Sequence, residues 1–173
     1  MRHDTPHPTF RATIAGDSFP SVVDPITSIL QHYESAMPSA TSLPEQYHIR
    51  SETPHVPNSP FPVLVYRSCL PPAADPLAVC SSIEPNNWLK GGVFKHYEAH
   101  HFHSVTHECY AVFKGHSKLL LGRGPLDPEQ EDDLIVKLRE GDAIVLPAGV
   151  AHCLLSSSDD YEYVGLYPKV RGP

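Results

Sequence analysis

Residues 100–108 read HHFHSVTHE, which puts four histidines and a glutamate into nine consecutive positions of a chain with 12 histidines in all. Neutral imidazole nitrogen and carboxylate oxygen are ligands for Zn, Fe, Ni, Mn or Cu, and a mixed nitrogen and oxygen set leaves the choice among them open. His101 and His103 are two residues apart, so on a strand both would project from one face toward one point, whereas a helix would splay them. A solvated surface cluster has the same composition. The stretch therefore needs a partner elsewhere in the chain before it reads as a site.

The surrounding elements read as β. The 173 residues suit one domain, and 19 prolines against 10 glycines indicate short elements and rigid turns. From Tyr47 onward, strand-like runs follow one another: YHIR, PVLVYRSC, GGVFKHYE, HECYAVFKG, HSKLLLG, DLIVKL, DAIVLP, HCLLS and YEYVGLYP, separated by Gly, Pro, Asp and Ser. Without helical crossovers between them, these predict an all-β antiparallel sandwich or barrel. Asp75 and Pro76 are read as opening one short helix before EPNNW. A further helix is expected near residues 25–36, capped by Asp24, with Pro25 in the first turn and Ile26, Ile29, Leu30 and Tyr33 on one face. Residues 1–46 are thus expected to be an arm and helix laid against a β domain of residues 47–173.

Charge and composition narrow the partners. A net charge of −7 with dispersed basic residues gives no electrostatic footprint for nucleic acid or an anionic membrane. No apolar run approaches a membrane span, and MRHDTPHPTF lacks the apolar centre of a secretory signal, so a cytoplasmic protein with a small-molecule partner is expected, with a homodimer as its assembly. Cys69, Cys80, Cys109 and Cys153 form no C-x-x-C pair and sit in strand-like contexts, which reads as buried free thiols; Cys153 stands out because it follows His152.

The partner stretch is GDAIVLPAGVAH at 141–152, a Gly-Asp turn, a buried strand, and a Pro-Ala-Gly-Val turn that delivers His152 onto the next strand. Together the two stretches read His-x-His, four residues, Glu108, six residues, Gly115; then Gly141, five residues, Pro147, x, Gly149, two residues, His152. In this order and spacing the sequence resembles the cupin superfamily. The resemblance implies a single antiparallel jelly-roll β-barrel in which His101, His103, Glu108 and His152 hold one divalent ion, Zn, Fe, Ni or Mn. Lys95 stands where the first motif usually has glycine, and Ser156 where the second usually has asparagine; neither is a ligand position. From Tyr47 to Pro168, the runs PFPVLVYR, EPNNW, HFHSVTHE, VFKGHSKLLLG, GDAIVLPAGVAH and VGLYP are similar to the YjlB-type cupins, a group that implies no common substrate.

Neighbouring residues receive supporting roles. Glu108 and His107 cannot both enter the barrel from an extended strand, and the motif spacing favours Glu108, leaving His107 to support a ligand or face outward. His96 and His100 are read as lying outside the ligand set, and Trp88, Tyr97, Tyr110 and Tyr163 as pocket candidates that barrel packing would equally explain. Three histidines and one carboxylate leave an octahedral ion two open positions, which suits catalysis on a small oxygenated organic molecule. Dioxygenase-type chemistry is placed first. Lewis-acid isomerisation, decarboxylation or hydrolysis comes second, and a non-catalytic metal- or ligand-binding protein third.

Overall fold

The computed structural model of the chain describes residues 43–49 and 51–169. The helix expected near residues 25–36 lies outside the described residues. Nine strands are described: β1 (Glu45–Tyr47), β2 (Val63–Tyr66), β3 (Trp88–Phe94), β4 (Glu108–Lys114), β5 (His116–Leu121), β6 (Leu134–Arg139), β7 (Ala143–Leu146), β8 (His152–Ser157) and β9 (Glu162–Pro168). Helix α1 (Pro76–Ile83) follows β2, with the Asp75 carboxylate accepting from the Ala78 N–H at 2.8 Å and Pro76 in the first turn. No helix among the described residues is long and apolar enough to cross a membrane.

The strands form two antiparallel sheets, ordered β1-β2-β7-β4-β9-β3 and β6-β5-β8. Alternation in β4 explains how they stack. Tyr110 and Val112 join Val63, Val65, Leu119, Leu138 and Ile144 in the core between the sheets, while Cys109, Ala111 and Phe113 join Val79, Ile83, Trp88 and Leu166 on the other face, beneath α1. The inner strands of the larger sheet are thus buried on both sides, which is why VLVY and AIVL are unbroken apolar runs. The smaller sheet keeps one wet face carrying Lys118, Lys137 and Arg139.

Two separate ladders make this a sandwich; closure into a single barrel is not seen. What links the sheets at one edge is the chain after β3, where Leu154 N–H donates to Tyr97 O at 3.2 Å and His101 exchanges both backbone hydrogen bonds with His152. The opposite end is tied by the fully buried Asp142, whose carboxylate takes Arg67 Nη1 at 2.8 Å and the N–H groups of Ser68 and Arg139. Arg67 also donates to Lys137 O at 2.7 Å, so one guanidinium bridges the two sheets. Replacing Asp142 with Ala strands these donors and should cost about 3 kcal/mol, read as a lower urea midpoint at unchanged slope. A loss below about 0.5 kcal/mol would show the network to be no stronger than an exposed pair.

Candidate metal centre

His101 and His103 were expected on a strand, but residues 102–107 are irregular and His101 makes only an isolated bridge. Local anchoring takes the strand's place. The two hydrogen bonds exchanged by His101 and His152, 3.1 and 2.9 Å, set the two side chains abreast, with ring centroids 4.2 Å apart. Two residues on, His103 O accepts from Gly149 N–H at 2.8 Å, so the turn before His152 also fixes His103. Gly149 has φ +91°, and a side chain there would run into the Asn58 carbonyl, which explains glycine at this point of the turn.

Glu108 opens β4 and pairs with Leu146, the last residue of β7, placing its side chain on the inner face beside His152. The resulting group, His101, His103, Glu108 and His152, brings one potential ligand atom from each residue within 4.8 Å of all the others. Glu108 and His152 form a buried floor, and the half-buried His101 and His103 form a rim open to solvent. Beside His101 runs a groove of about 280 Å³ lined by Val56, His100, Phe102 and Pro125.

The donor atoms are prepared for a cation. His101 Nδ1 lies 3.0 Å from Ala99 O, and His152 Nδ1 lies 3.1 Å from Val150 O; a carbonyl only accepts, so both Nδ1 atoms carry hydrogen, and in the neutral ring Nε2 is the nitrogen left to bind an ion. Glu108 Oε2 sits 2.9 Å from His103 Nε2 and 3.3 Å from His152 Nε2, yet Oε2 and His103 Nε2 are buried without a hydrogen-bond partner. Metal–ligand bonds of about 2.1 Å imply adjacent donors roughly 3.0 Å apart and opposite donors roughly 4.2 Å apart, a spacing these atoms nearly have already. An unpartnered buried carboxylate oxygen is costly, and a divalent ion removes that cost. The residues present fit the ion.

Tyr167, not singled out in the sequence, completes the floor by donating to Glu108 Oε1 at 2.6 Å. The signal for it was alternation along β9, since Tyr161, Tyr163, Gly165 and Tyr167 share a face. Gly165 lies opposite Tyr110 and leaves room there: a Cβ would meet the Phe94 ring and approach Glu108 Oε1 to 3.8 Å. Burial raises the Glu108 pKa, but the His152 imidazole and the Tyr167 hydroxyl outweigh it, and the net direction is down. Burial, with His152 next, lowers the His101 pKa, and burial alone lowers that of His107. Burial pushes the Tyr110 phenol well above its ordinary range, with the Glu108 charge adding to it.

The other candidates fall into three places. His107 turns to the Pro-Ala-Gly-Val turn, where its Nδ1 accepts from Ala148 N–H at 3.0 Å. Tyr110 reaches the centre directly, its hydroxyl 2.9 Å from His152 Nε2, and Tyr97 stands edge-on to His101 at 4.8 Å between ring centroids. Trp88 does not reach it: its side chain is placed in the cluster beneath α1, on the opposite face of the sheet, because the first residue of β3 points outward. His96 bonds Ser157 Oγ, and His100 lies between Arg123 O and Cys153 Sγ. All four cysteines are buried, and no disulfide joins them.

No family model matches the chain. It is similar to the uncharacterised protein YjlB of Bacillus subtilis (strain 168), 33% identical over 114 residues that cover 65% of this chain and 63% of that one, so the match spans less than two thirds of the relative. Among solved structures, similar chains include the Escherichia coli ribosomal oxygenase YcfD (TM-score 0.38, 13% identity, 91% of this chain and 46% of that one). Streptomyces albus HEPD with 2-hydroxyethylphosphonate and Fe(II) bound is another (TM-score 0.35, 14% identity, 72% of this chain and 24% of that one). A predicted oxalate decarboxylase of Thermotoga maritima is a third (TM-score 0.28, 15% identity, 78% of this chain and 98% of that one). All three TM-scores fall below 0.5.

The pKa directions give a pH dependence for the metal-free chain. A histidine whose folded pKa lies below its ordinary 6.5 is protonated first in the unfolded chain, so His101 and His107 withdraw stability as pH falls below 6.5. The lowered Glu108 pKa acts in the same sense at lower pH, its stabilisation being present above 4.5 and lost as pH falls through the folded value. Urea midpoints of chelator-treated protein should therefore drop steadily from pH 7 toward pH 4. A midpoint that holds level or rises over that range would contradict the burial assigned to these groups.

Proposed function

We propose that this chain is a mononuclear metal enzyme of the cupin type, in which His101, His103, Glu108 and His152 hold one divalent ion and a small oxygenated organic molecule is the substrate. The observation that carries this reading is the convergence of one donor atom from each of four residues within 4.8 Å of one another, two of these residues being buried and two half-buried. The order and spacing of the two motifs and the similarity to YjlB support the cupin assignment. Bound there, a redox-active ion supplies activation of substrate toward dioxygen, and a redox-silent ion supplies Lewis-acid polarisation.

The protein's own contribution is orientation and charge. Glu108 offsets one of the two positive charges, which leaves a net attraction for an anionic oxygen donor. Tyr167 holds Oε1 so that Oε2 is presented, and the carbonyls of Ala99 and Val150 hold the His101 and His152 rings with Nε2 inward. His107 supports the site through the turn that delivers His152. A structural metal would favour a closed shell with cysteine, and no cysteine belongs to the donor group. We place dioxygenase-type chemistry first, ahead of Lewis-acid chemistry and non-catalytic binding.

Purified protein should carry close to one divalent ion per chain by mass spectrometry, and His103→Ala with His152→Ala should remove it. Glu108→Gln should cut metal affinity severely, while His107→Ala should lower it by about 10- to 100-fold at most. Full occupancy in the double histidine variant, or metal lost with His107→Ala and kept with Glu108→Gln, would overturn the ligand assignment. Turnover of an enol or catechol under air but not under nitrogen is expected for a dioxygenase; turnover in both atmospheres indicates Lewis-acid chemistry, and turnover in neither indicates a binding protein.

A further inference from the structure

Between the β1–β2 connection and the turn that joins β5 to β6 lies a cavity of about 480 Å³, which shares no residue with the four-residue donor group. Its charged walls are Asp127, Asp132, Asp133 and Arg123, three carboxylates against one guanidinium. Arg123 is already committed: its Nε lies 3.0 Å from Asp133 Oδ2, and its Nη1 donates to Asp127 O at 3.3 Å. With His48 neutral, the lining keeps a balance of two negative charges.

Asp127 marks where a cation is held. It is 7% exposed, and its Oδ2 takes both of its side-chain hydrogen bonds, from Thr53 Oγ1 at 2.7 Å and from the Gly124 N–H at 2.8 Å. These two bonds pin the turn to the segment before β2, and the single oxygen of an asparagine would accept both as well. The pin leaves the second oxygen unexplained. Oδ1 is buried without a hydrogen-bond partner, and a buried carboxylate oxygen that lacks a donor is costly. His55 lies close enough to act on this carboxylate electrostatically, yet it makes no hydrogen bond to Oδ1.

The walls distinguish an organic cation from a metal ion. Among the described residues, three or more histidine, cysteine or carboxylate donors converge only in the group of His101, His103, Glu108 and His152, so Asp127, Asp132 and Asp133 form no cage for an ion. Ile49, Leu121 and Leu134 line the same space and give a hydrocarbon stem a surface to lie on. A primary ammonium on such a stem presents three N–H donors and a positive charge.

We propose that this cavity binds a primary alkylammonium compound, its charged head hydrogen-bonded to Asp127 Oδ1 and its stem against Ile49, Leu121 and Leu134. The site is separate from the metal centre and stands whether or not an ion is bound there.

The test titrates full-length protein, labelled with heavy nitrogen, with n-butylamine near pH 7, where the amine is an ammonium, and follows backbone amide signals by NMR. Amides of Gly122, Arg123 and residues 130–134 should shift with a dissociation constant of about 1 mM or below, while those of His101, His103 and His152 hold still. n-Butanol, with the same stem and no charge, should bind about 10-fold or more weakly. Asp127→Asn keeps an acceptor for Thr53 and Gly124 but loses the charge, and it should weaken the amine by about 10-fold or more. Gln130→Lys adds a cation to the lining at an exposed position, should weaken the amine by about 5-fold or more, and keeps the test decisive if the asparagine variant folds poorly. No shift at these amides, shifts centred on the metal-centre histidines, an equal response to n-butanol, or unchanged affinity in either folded variant would overturn the site. Ca(II) moving the same amides at lower concentration than the amine would overturn the ammonium class in favour of a metal ion.

Discussion

The pairing of His101 with His152 is the constraint on which the rest of the centre depends. The first of these residues follows a strand of the larger sheet and the second opens a strand of the smaller one, so without the two backbone hydrogen bonds between them the donor groups would sit on separate layers. Once the bridge is made, the alternation of an extended chain sends both imidazoles to one side. Gly149 then ties His103 to the same turn, and β4 supplies Glu108 from below. The centre is thus built where the sandwich is laced along one edge.

Burial of Glu108 makes that edge chemically demanding. Glu108 is 4% exposed, with one carboxylate oxygen satisfied by Tyr167 and the other beside the His103 and His152 rings without a hydrogen bond. A buried carboxylate oxygen left without a hydrogen bond is costly. The apolar cores above and below the larger sheet supply the stability that holds such a group in place, and the Asp142–Arg67 tie at the far end keeps the two sheets in register while the near end stays open.

Much of this was legible in the sequence, and the exceptions have physical causes. Each strand-like run overlaps one observed strand, because Gly, Pro and Asp punctuate two-residue alternation clearly; the first is shifted, with β1 lying at Glu45–Tyr47. The His-x-His stretch was readable as a convergent pair even though its backbone is irregular, since a single bridge reproduces the strand direction locally. Trp88 was not placeable, because its face depends on which side α1 covers, a tertiary fact. Tyr167 was missed because its partner is 59 residues away and only the pairing of β9 with β4 brings them together. The separation of the strands into two ladders, in place of one closed barrel, is likewise set by long-range pairing that no local run encodes.

The most direct measurement of the central claim is an anomalous-difference map from crystals of metal-loaded protein, collected at the absorption edge of the ion found by elemental analysis. A single strong peak bonded to Nε2 of His101, His103 and His152 and to Oε2 of Glu108 is the predicted result. A peak ligated by His107 in place of Glu108, or no peak among these four residues, would contradict it.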